Sequence, residues 1–249
     1  MRAILTYHSI DSSGSPISLA EESFRDHMRF LGSGRLAVVP LADLTSTPEG
    51  KDAVAITFDD GFLNFTSSAL PLLSKMGFAA TVFVVSDSVG GTNAWGGRDA
   101  PGIPTLPLMN WNHLESARDQ GVEIGAHTRH HPYLTTVSQT QLEDETAGCV
   151  ERIFAELGER PRRFAYPYGD VNEAVVSVAR SAFEQSVTTE LRPVAPDDDA
   201  ALLPRLDAWY FRRPGSLDDW GSPAFRRRLW IRAQGRRVRA LITAGGRDR

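Results

Sequence analysis

Short apolar runs recur along the chain, and segments whose apolar positions follow helical spacing separate them. Strands that alternate with helices over this length indicate a parallel sheet, either closed as a barrel or open and doubly wound. The strand-like runs are residues 3–7, 53–58, 80–85, 122–126, 163–166 and 186–189, with a weaker one at 202–206.

Helix boundaries are marked by side chains that cap or end a helix. Two segments, 90–109 and 192–201, are rich in Gly and Pro or in Pro and Asp, and they are predicted to be long loops. Long loops inside a compact domain often line a binding site, although a surface excursion explains them equally well. The residues predicted to mark helix boundaries are the N-cap Asn110, the capping boxes Ser138 with Gln141 and Asp170 with Glu173, and Gly77 at a helix end.

Composition narrows the class of protein. At 249 residues with 41% hydrophobic positions, the chain suits one large domain or two small ones with a sizeable core. Its single cysteine, Cys149, excludes an internal disulfide and is typical of a reducing compartment. Neither a leader pattern nor a run of about 18 apolar residues is seen, which predicts a soluble cytoplasmic protein. The net charge of −4 gives no indication of nucleic acid as a partner.

Charge is placed unevenly. Residues 225–249 contain nine arginines and one aspartate in an otherwise acidic chain. This pattern is typical of a solvated helix face in an arginine-rich protein. A basic amphipathic tail that contacts an anionic membrane surface is the alternative.

Paired carboxylates follow one apolar strand. In "AVAITFDDGF", Asp59 and Asp60 come directly after the strand, and a turn at Gly61 can aim both into one cleft. Beside a metal ion, one carboxylate can bind the ion while the other takes a proton from water. Alone, "DDG" is a common turn signal.

Histidines follow the next buried strand in "VEIGAHTRHHPYL". His127 and His131 stand four residues apart before Pro132, which favours a tight loop over a helix. One aspartate with two histidines suits a divalent ion that keeps open positions for water and substrate. His130 is expected to face away. The turn in "RRFAYPYGD" can point backbone N–H groups into the same cleft, as an oxyanion hole requires, or be a turn and nothing more.

The segments "TFDDG", "HTRHHP" and "FAYPYG", in this order and spacing, resemble the first three motifs of the polysaccharide deacetylases (carbohydrate esterase family 4). The resemblance runs from about residue 3 to residue 206. It implies a distorted (β/α) barrel of about seven parallel strands. It also implies that Asp59 is the general base and that Asp60, His127 and His131 hold a divalent metal, with Zn²⁺ favoured over Co²⁺ or Ni²⁺. The backbone amide of Tyr168 would help to bind the oxyanion.

Two departures from the family pattern affect the predicted site. Ala165 stands where relatives have an arginine that holds the base, and Arg205 is a candidate to supply that charge from another strand. Relatives also take their general acid from a late histidine, but no histidine follows His131. His8, at the end of the first strand, is the candidate acid, as in a subgroup whose acid motif lies at the N-terminus. A structural histidine is the alternative.

The resemblance implies a hydrolase that removes N-acetyl groups from amino sugars of a polysaccharide or its precursor. The expected partner is an N-acetylated oligo- or polysaccharide or a lipid-linked sugar. A catalytic domain is expected over residues 1–221. The basic tail that follows it, residues 222–249, is a candidate for membrane contact. A deacylase with another acylated substrate and a non-catalytic sugar-binding barrel are the alternatives. Candidates to line the sugar cleft, each of which could instead belong to the core, are Phe62, Trp95, Trp111 and Tyr133.

Overall fold

The computed structural model describes residues 1–48 and 50–244, the last eight of them by backbone alone. Its strands are β1 (Arg2–Tyr7), β2 (Ser9–Ile10), β3 (Ser18–Leu19), β4 (Ala37–Val38), β5 (Ala53–Phe58), β6 (Ala80–Val84), β7 (Val122–Ala126), β8 (Arg163–Ala165), β9 (Gln185–Val187) and β10 (Leu206–Asp207). Its α-helices are α1 (Glu21–Leu31), α2 (Leu41–Leu44), α3 (Leu70–Met76), α4 (Trp111–Asp119), α5 (Gln139–Glu143), α6 (Cys149–Leu157), α7 (Glu173–Ala182) and α8 (Pro223–Ala244).

Seven parallel strands form the frame of the molecule in the order β10-β1-β5-β6-β7-β8-β9. The segment that leads into β10 also bonds to β9, because the backbone N–H of Leu203 donates to the carbonyl of Ser186 at 2.9 Å. The two outer strands of the array are therefore joined through residues 203–207. This topology confirms the predicted α/β barrel of about seven parallel strands.

The strands are buried on both faces, as parallel strands covered by helices must be. Every residue of β5 is buried, and the larger core lies between the strands and the helices. A smaller apolar cluster contains Ile4, Ala55, Ala165 and Phe83. Gly125 is required beside it, since a Cβ there would lie 2.5 Å from Cδ1 of Phe83.

Two of the three predicted helix N-caps are present in the structure. The capping boxes at Asn110 and Ser138 are present, so both predictions are confirmed. The capping box predicted at Asp170 is wrong. The side chain of Asn172 caps α7 instead, and the Asp170 carboxylate accepts a hydrogen bond from the backbone N–H of Thr135 at 2.8 Å. The competing partner lies 35 residues away, which local spacing cannot reveal.

Strand and helix ends were predicted closely where the pattern is strong. The predicted runs 53–58 and 122–126 coincide with β5 and β7, and Gly77 ends α3 in the left-handed conformation at φ 65°. The weak run at 202–206 is wrong in its bounds, because the regular strand occupies Leu206–Asp207. The backbone N–H groups of Leu203 and Arg205 donate instead to the carbonyl of Ser186 in β9 and to that of Glu190 in the loop after it.

Helix α8 contains most of the basic segment that the sequence marks out. Phe225 and Leu229 are buried in the main core, whereas Trp230 and Ile231 are exposed. The helix therefore packs on the barrel through one face. No helix in residues 1–48 and 50–244 combines the length and apolarity that a bilayer crossing needs. The boundary predicted between residues 221 and 222 stays a prediction, and residues 245–249 of the tail lie outside the described residues.

Candidate active site

The predicted chemical groups lie at the carboxyl ends of the barrel strands. His8 follows β1, Asp59 and Asp60 follow β5, His127 follows β7, and Tyr168 lies just beyond β8. Because parallel strands end at the same edge of a barrel, residues far apart in sequence meet there. The backbone N–H of Asp59 donates to the carbonyl of Tyr7 at 2.9 Å, which ties the first strand to the paired aspartates.

Three side chains converge with metal-ligand geometry. Oδ1 of Asp60 lies 3.5 Å from Nε2 of His127 and 3.5 Å from Nε2 of His131. Nδ1 of His127 donates to the carbonyl of Ala165 at 2.7 Å, which leaves the lone pair on Nε2 for a metal. All three side chains are buried, and their candidate ligand atoms lie within 4.8 Å of one another.

Unpaired atoms indicate what this group lacks. Within residues 1–48 and 50–244, Oδ1 of Asp60 and Nδ1 of His131 are buried without a hydrogen-bond partner. An unpaired buried carboxylate oxygen is costly, and a divalent cation bound at the three converging atoms would compensate it. Burial and the neighbouring His127 hold the pKa of His131 well below its usual value, which keeps its imidazole neutral as ligation requires. The residues therefore fit a divalent metal.

Backbone strain is concentrated at the same place. In the described part of the chain, the four non-glycine residues with positive φ are Asp60, Thr128, His131 and Tyr168, at 69°, 67°, 63° and 60°. Such conformations cost on the order of 1–3 kcal/mol each and cluster at functional sites. Two of the four are candidate metal ligands, so the fold maintains this strain to aim their side chains.

Arg205 makes a bidentate ion pair with Asp59. Nη1 and Nη2 of Arg205 donate to Oδ1 and Oδ2 of Asp59 at 2.6 and 2.7 Å, and Nε donates to the carbonyl of Thr188 at 2.8 Å. Burial by itself raises the pKa of Asp59, but the charge and hydrogen bonds of Arg205 outweigh burial and hold that pKa well below its usual range. The structure thus brings Arg205 to the carboxylate, where Ala165 offers no charge. Its role as orienter of the base stays a prediction.

His8 lies beside the same carboxylate. Its Nε2 is 3.7 Å from Oδ2 of Asp59, and its side chain is 24% exposed. The ring therefore reaches both the ion pair and the open cleft, which a proton donor to a substrate needs.

Asp207 is a neighbour of His8 that the sequence did not single out. It lines one small pocket with His8 and Trp209, and burial raises the pKa of its carboxyl while the nearby His8 opposes that rise. The segment "PRLDAW" could have indicated Asp207, because residues two apart on an extended strand share a face. Arg205 and Asp207 have that spacing, so a candidate role for Arg205 places Asp207 on the same side.

An aromatic wall surrounds His131. The ring of Trp95 stacks on His131 with centroids 4.6 Å apart, and the Tyr168 ring meets it edge-on at 4.6 Å. Tyr133 in turn stacks on Tyr168 at 4.1 Å, and both tyrosines are partly exposed. Trp95 comes from the long loop predicted at 90–109, so that loop contributes to the site. The backbone N–H of Tyr168 makes no hydrogen bond to the described residues.

The other two aromatic candidates lie elsewhere. Phe62 is 1% exposed and belongs to the core, which leaves its ring no surface for a sugar. Trp111 is the first residue of α4, and the guanidinium of Arg152 lies 5.7 Å from its ring. No ring contact among the described residues joins either of them to the aromatic wall.

A buried glutamate organises the loop that carries the histidines, residues 127–131, here called the metal loop. Oε2 of Glu145 accepts hydrogen bonds from the backbone N–H groups of Arg129 and His130, both at 2.9 Å. Oε1 lies 2.7 Å from Nδ1 of His130, so His130 faces Glu145. Glu145 belongs to a π-helical turn, Asp144–Gly148, a feature often found at functional sites. Sequence reasoning missed Glu145, because nothing in its local pattern differs from a surface glutamate.

Comparison with known proteins gives a consistent family match. The family model described as polysaccharide deacetylase matches residues 46–184. The chain is 28% identical to the putative polysaccharide deacetylase YxkH of Bacillus subtilis (strain 168), over 82% of this chain and 70% of that protein. It is 21% identical to the poly-beta-1,6-N-acetyl-D-glucosamine N-deacetylase of Staphylococcus epidermidis, over 76% of this chain and 67% of that protein. In chitin deacetylase 1 of Cryptococcus neoformans, the match spans 25% of the relative's length.

Solved structures of similar fold cover most of the chain. The Streptococcus pyogenes deacetylase PplD in complex with acetate has a TM-score of 0.75 at 19% identity, over 89% of this chain and 98% of that one. IcaB from Ammonifex degensii has a TM-score of 0.69 at 22% identity, over 85% of this chain and 95% of that one. These likenesses establish the fold.

Proposed function

Because the chain belongs to the polysaccharide deacetylase family, we propose that it is a metal-dependent hydrolase that removes N-acetyl groups from amino sugars of a polysaccharide or its precursor. One observation carries the proposal. The buried group of Asp60, His127 and His131 lies directly beside an ionised carboxylate, Asp59. A binding module needs neither a metal site nor an adjacent base. The relative from Staphylococcus epidermidis is a poly-beta-1,6-N-acetyl-D-glucosamine N-deacetylase, which supports a polymer of N-acetylglucosamine as the substrate class.

The proposed metal is a divalent ion held by Asp60, His127 and His131, with Zn²⁺ favoured and Co²⁺ or Ni²⁺ as alternatives. When bound, such an ion polarises an acyl carbonyl and lowers the pKa of water. Asp59 takes the proton from the attacking water. Arg205 keeps this carboxylate ionised and fixes both of its oxygens. Asp59 is therefore a weak base that is held in a fixed orientation toward the water.

Two further groups complete the proposed reaction. The free backbone N–H of Tyr168 donates to the oxyanion that forms on the carbonyl oxygen, which such donors stabilise when they are preorganised. His8, protonated, gives its proton to the leaving nitrogen, a step that typically contributes about 10²–10⁴-fold to the rate. Support for His8 comes from the barrel itself. Strand β1 pairs with β10, so the end of the first strand occupies the position beside the last one.

The aromatic wall supplies the proposed sugar contacts. Trp95, Tyr133 and Tyr168 offer flat ring surfaces next to the candidate metal ligands. The same role stays a prediction for Trp111, and we do not propose it for Phe62, whose ring is buried in the core. The predicted cytoplasmic location belongs to the proposal as well, and cell fractionation tests it.

Histidine variants test the division of labour. We expect His8→Ala to keep its metal content and to lose acetate release from N-acetylated oligosaccharides by about 10²–10⁴-fold. His127→Ala is expected to lose both metal and activity. His113→Gln is the matched control, because His113 is the half-buried third residue of α4 and glutamine also suits that capping position. Metal content is measured by mass spectrometry on protein loaded with Zn²⁺, Co²⁺ or Ni²⁺.

The outcomes separate the alternatives. An active His8→Ala enzyme at ordinary rates would refute the assignment of the acid. Sugar binding without acetate release under every metal would favour a non-catalytic sugar-binding barrel. Release from other acylated or lipid-linked substrates, but not from N-acetylated oligosaccharides, would favour the alternative deacylase.

A further inference from the structure

Two arginines of α8 lie over an aromatic turn that follows β10. The guanidinium carbon of Arg232 is 5.7 Å from the ring centre of Tyr210 and 5.4 Å from that of Phe211, and that of Arg236 is 6.0 Å from Tyr210. Residues four apart on a helix share a face. Arg232 and Arg236 therefore point together toward this turn.

Two more arginines approach from the turn itself. Arg212 lies 3.9 Å from the ring centre of Trp209, and Arg213 is next in sequence and exposed. We call Arg212, Arg213, Arg232 and Arg236 the arginine cluster. Among the residues described here, none of the four forms an ion pair with a carboxylate, in contrast to Arg228, whose guanidinium is bound by Asp219 at 2.6 Å.

The electrostatic environment of the cluster is repulsive. The pKa of Arg232 is lowered by its burial and further by Arg228, Arg212 and Arg213. Near the cluster, burial raises the pKa of the Asp207 carboxyl, and the charges of His8 and Arg236 oppose that rise. A bound anion would relieve this repulsion, because guanidinium groups pair with phosphate oxygens in bidentate geometry.

A cavity lies beside one member of the cluster, Arg236. It occupies about 630 Å³ between α8 and the loops after β8 and β9, within the range of small-molecule sites. Gly169, the neighbour of Tyr168, lies at its wall, and so do Trp230 and Arg236. Trp209 and Asp207 line a separate small pocket with His8. Because Arg212 lies over the ring of Trp209, the cluster reaches the proposed acid through Trp209.

We propose that the arginine cluster is a subsite for the phosphate or diphosphate group of an activated N-acetylated amino sugar. The inference rests on the proposed function and specifies its substrate. The anion is held by Arg232 and Arg236, with Arg212 and Arg213 at the rim, while the sugar extends toward Asp59. The substrate class then includes a phosphate-bearing precursor of the glycan in addition to the neutral polymer.

Binding and kinetics on the metal-loaded full chain test the subsite. We expect the double variant Arg232→Gln and Arg236→Gln to bind inorganic pyrophosphate about tenfold or more weakly by calorimetry. Its KM for a nucleoside-diphosphate N-acetylhexosamine is expected to rise by the same factor, with the KM for a neutral N-acetylated oligosaccharide unchanged. Arg227→Gln is the control, since Arg227 is an exposed arginine of the same helix outside the cluster. This control should match the wild type throughout.

Three results would overturn the proposal. The first is equal pyrophosphate affinity in the double variant and the wild type, which would place the anion at another site such as the metal. The second is binding to phosphatidylglycerol-containing vesicles but not to soluble diphosphates, which would make α8 a membrane surface instead. The third is an equal rise of KM for charged and neutral substrates. Pyrophosphate binding is measured without catalysis, so absence of acetate release from every substrate would refute the proposed function and not the subsite.

Discussion

Replacing Arg205 by methionine removes the only charge that directly hydrogen-bonds the Asp59 carboxylate within the described residues. Arg205 is 2% exposed and Asp59 is 3% exposed, so water cannot take over the lost interaction. Removing one partner of a buried ion pair leaves an uncompensated charge and costs about 3–5 kcal/mol. We expect the free energy of unfolding to fall by that amount near neutral pH.

The pH dependence of this loss has a definite sign. In the wild type, Arg205 holds the pKa of Asp59 below its usual value of about 3.9. A lowered carboxyl pKa contributes stability that is fully present above the unfolded-state pKa and is lost as pH falls through the folded-state pKa. In the variant, burial remains as the dominant influence, and the pKa of Asp59 rises above its usual value. The stability difference between wild type and variant is therefore largest near neutral pH and narrows as pH falls toward about 4.

Urea unfolding at several pH values and the pH profile of kcat/KM measure both effects. The acid limb of the profile is expected to move to higher pH in Arg205→Met, because the proposed base holds its proton longer. Arg163→Met is the matched control. Arg163 is also buried, but its partner Glu184 is 54% exposed at 2.8 Å, so its loss should cost less and leave the acid limb in place. A stability loss no larger than in this control, with an unmoved acid limb, would refute the reasoning.

Four further outcomes test the site and the packing that supports it. Glu145→Ala removes the hydrogen bonds that hold the metal loop, so we expect metal binding to weaken by about 10–100-fold, as measured by competition with a chelator. Glu145→Gln should lose less metal affinity. An unchanged affinity in Glu145→Ala would contradict this role of Glu145. Tyr168→Gly keeps the proposed backbone donor and deletes the ring, so acetate-release kinetics should show a raised KM and a kcat loss far below the about 10²–10³-fold that a missing oxyanion donor costs. Gly125→Ala forces a Cβ against Phe83 and should lower the free energy of unfolding by about 1–3 kcal/mol. Gly235→Ala, where no atom lies near the added Cβ, should raise it by about 0.5–1 kcal/mol, and a loss of stability there would show that α8 packs differently.

The sequence by itself determined six of the seven barrel strands, their order of appearance and the three motifs at their ends, but not the two-residue strands β2, β3 and β4. Apolar runs of strand length are a local property, and β5 and β7 therefore have the predicted bounds. Parallel strands end at one edge of a barrel, so the convergence of Asp60 with His127 and His131 followed from the motifs and the resemblance together.

Only the tertiary structure decided which distant side chains complete the site. Arg205 meets Asp59 across 146 residues, and Glu145 meets the backbone of Arg129 across 16. Both contacts depend on strand order, register and the packing of helices, none of which local spacing encodes. The same reason explains the error at Asp170, whose carboxylate accepts a hydrogen bond from Thr135 on another loop instead of capping α7. Local pattern determines which residues can do chemistry, and long-range packing determines which of them meet.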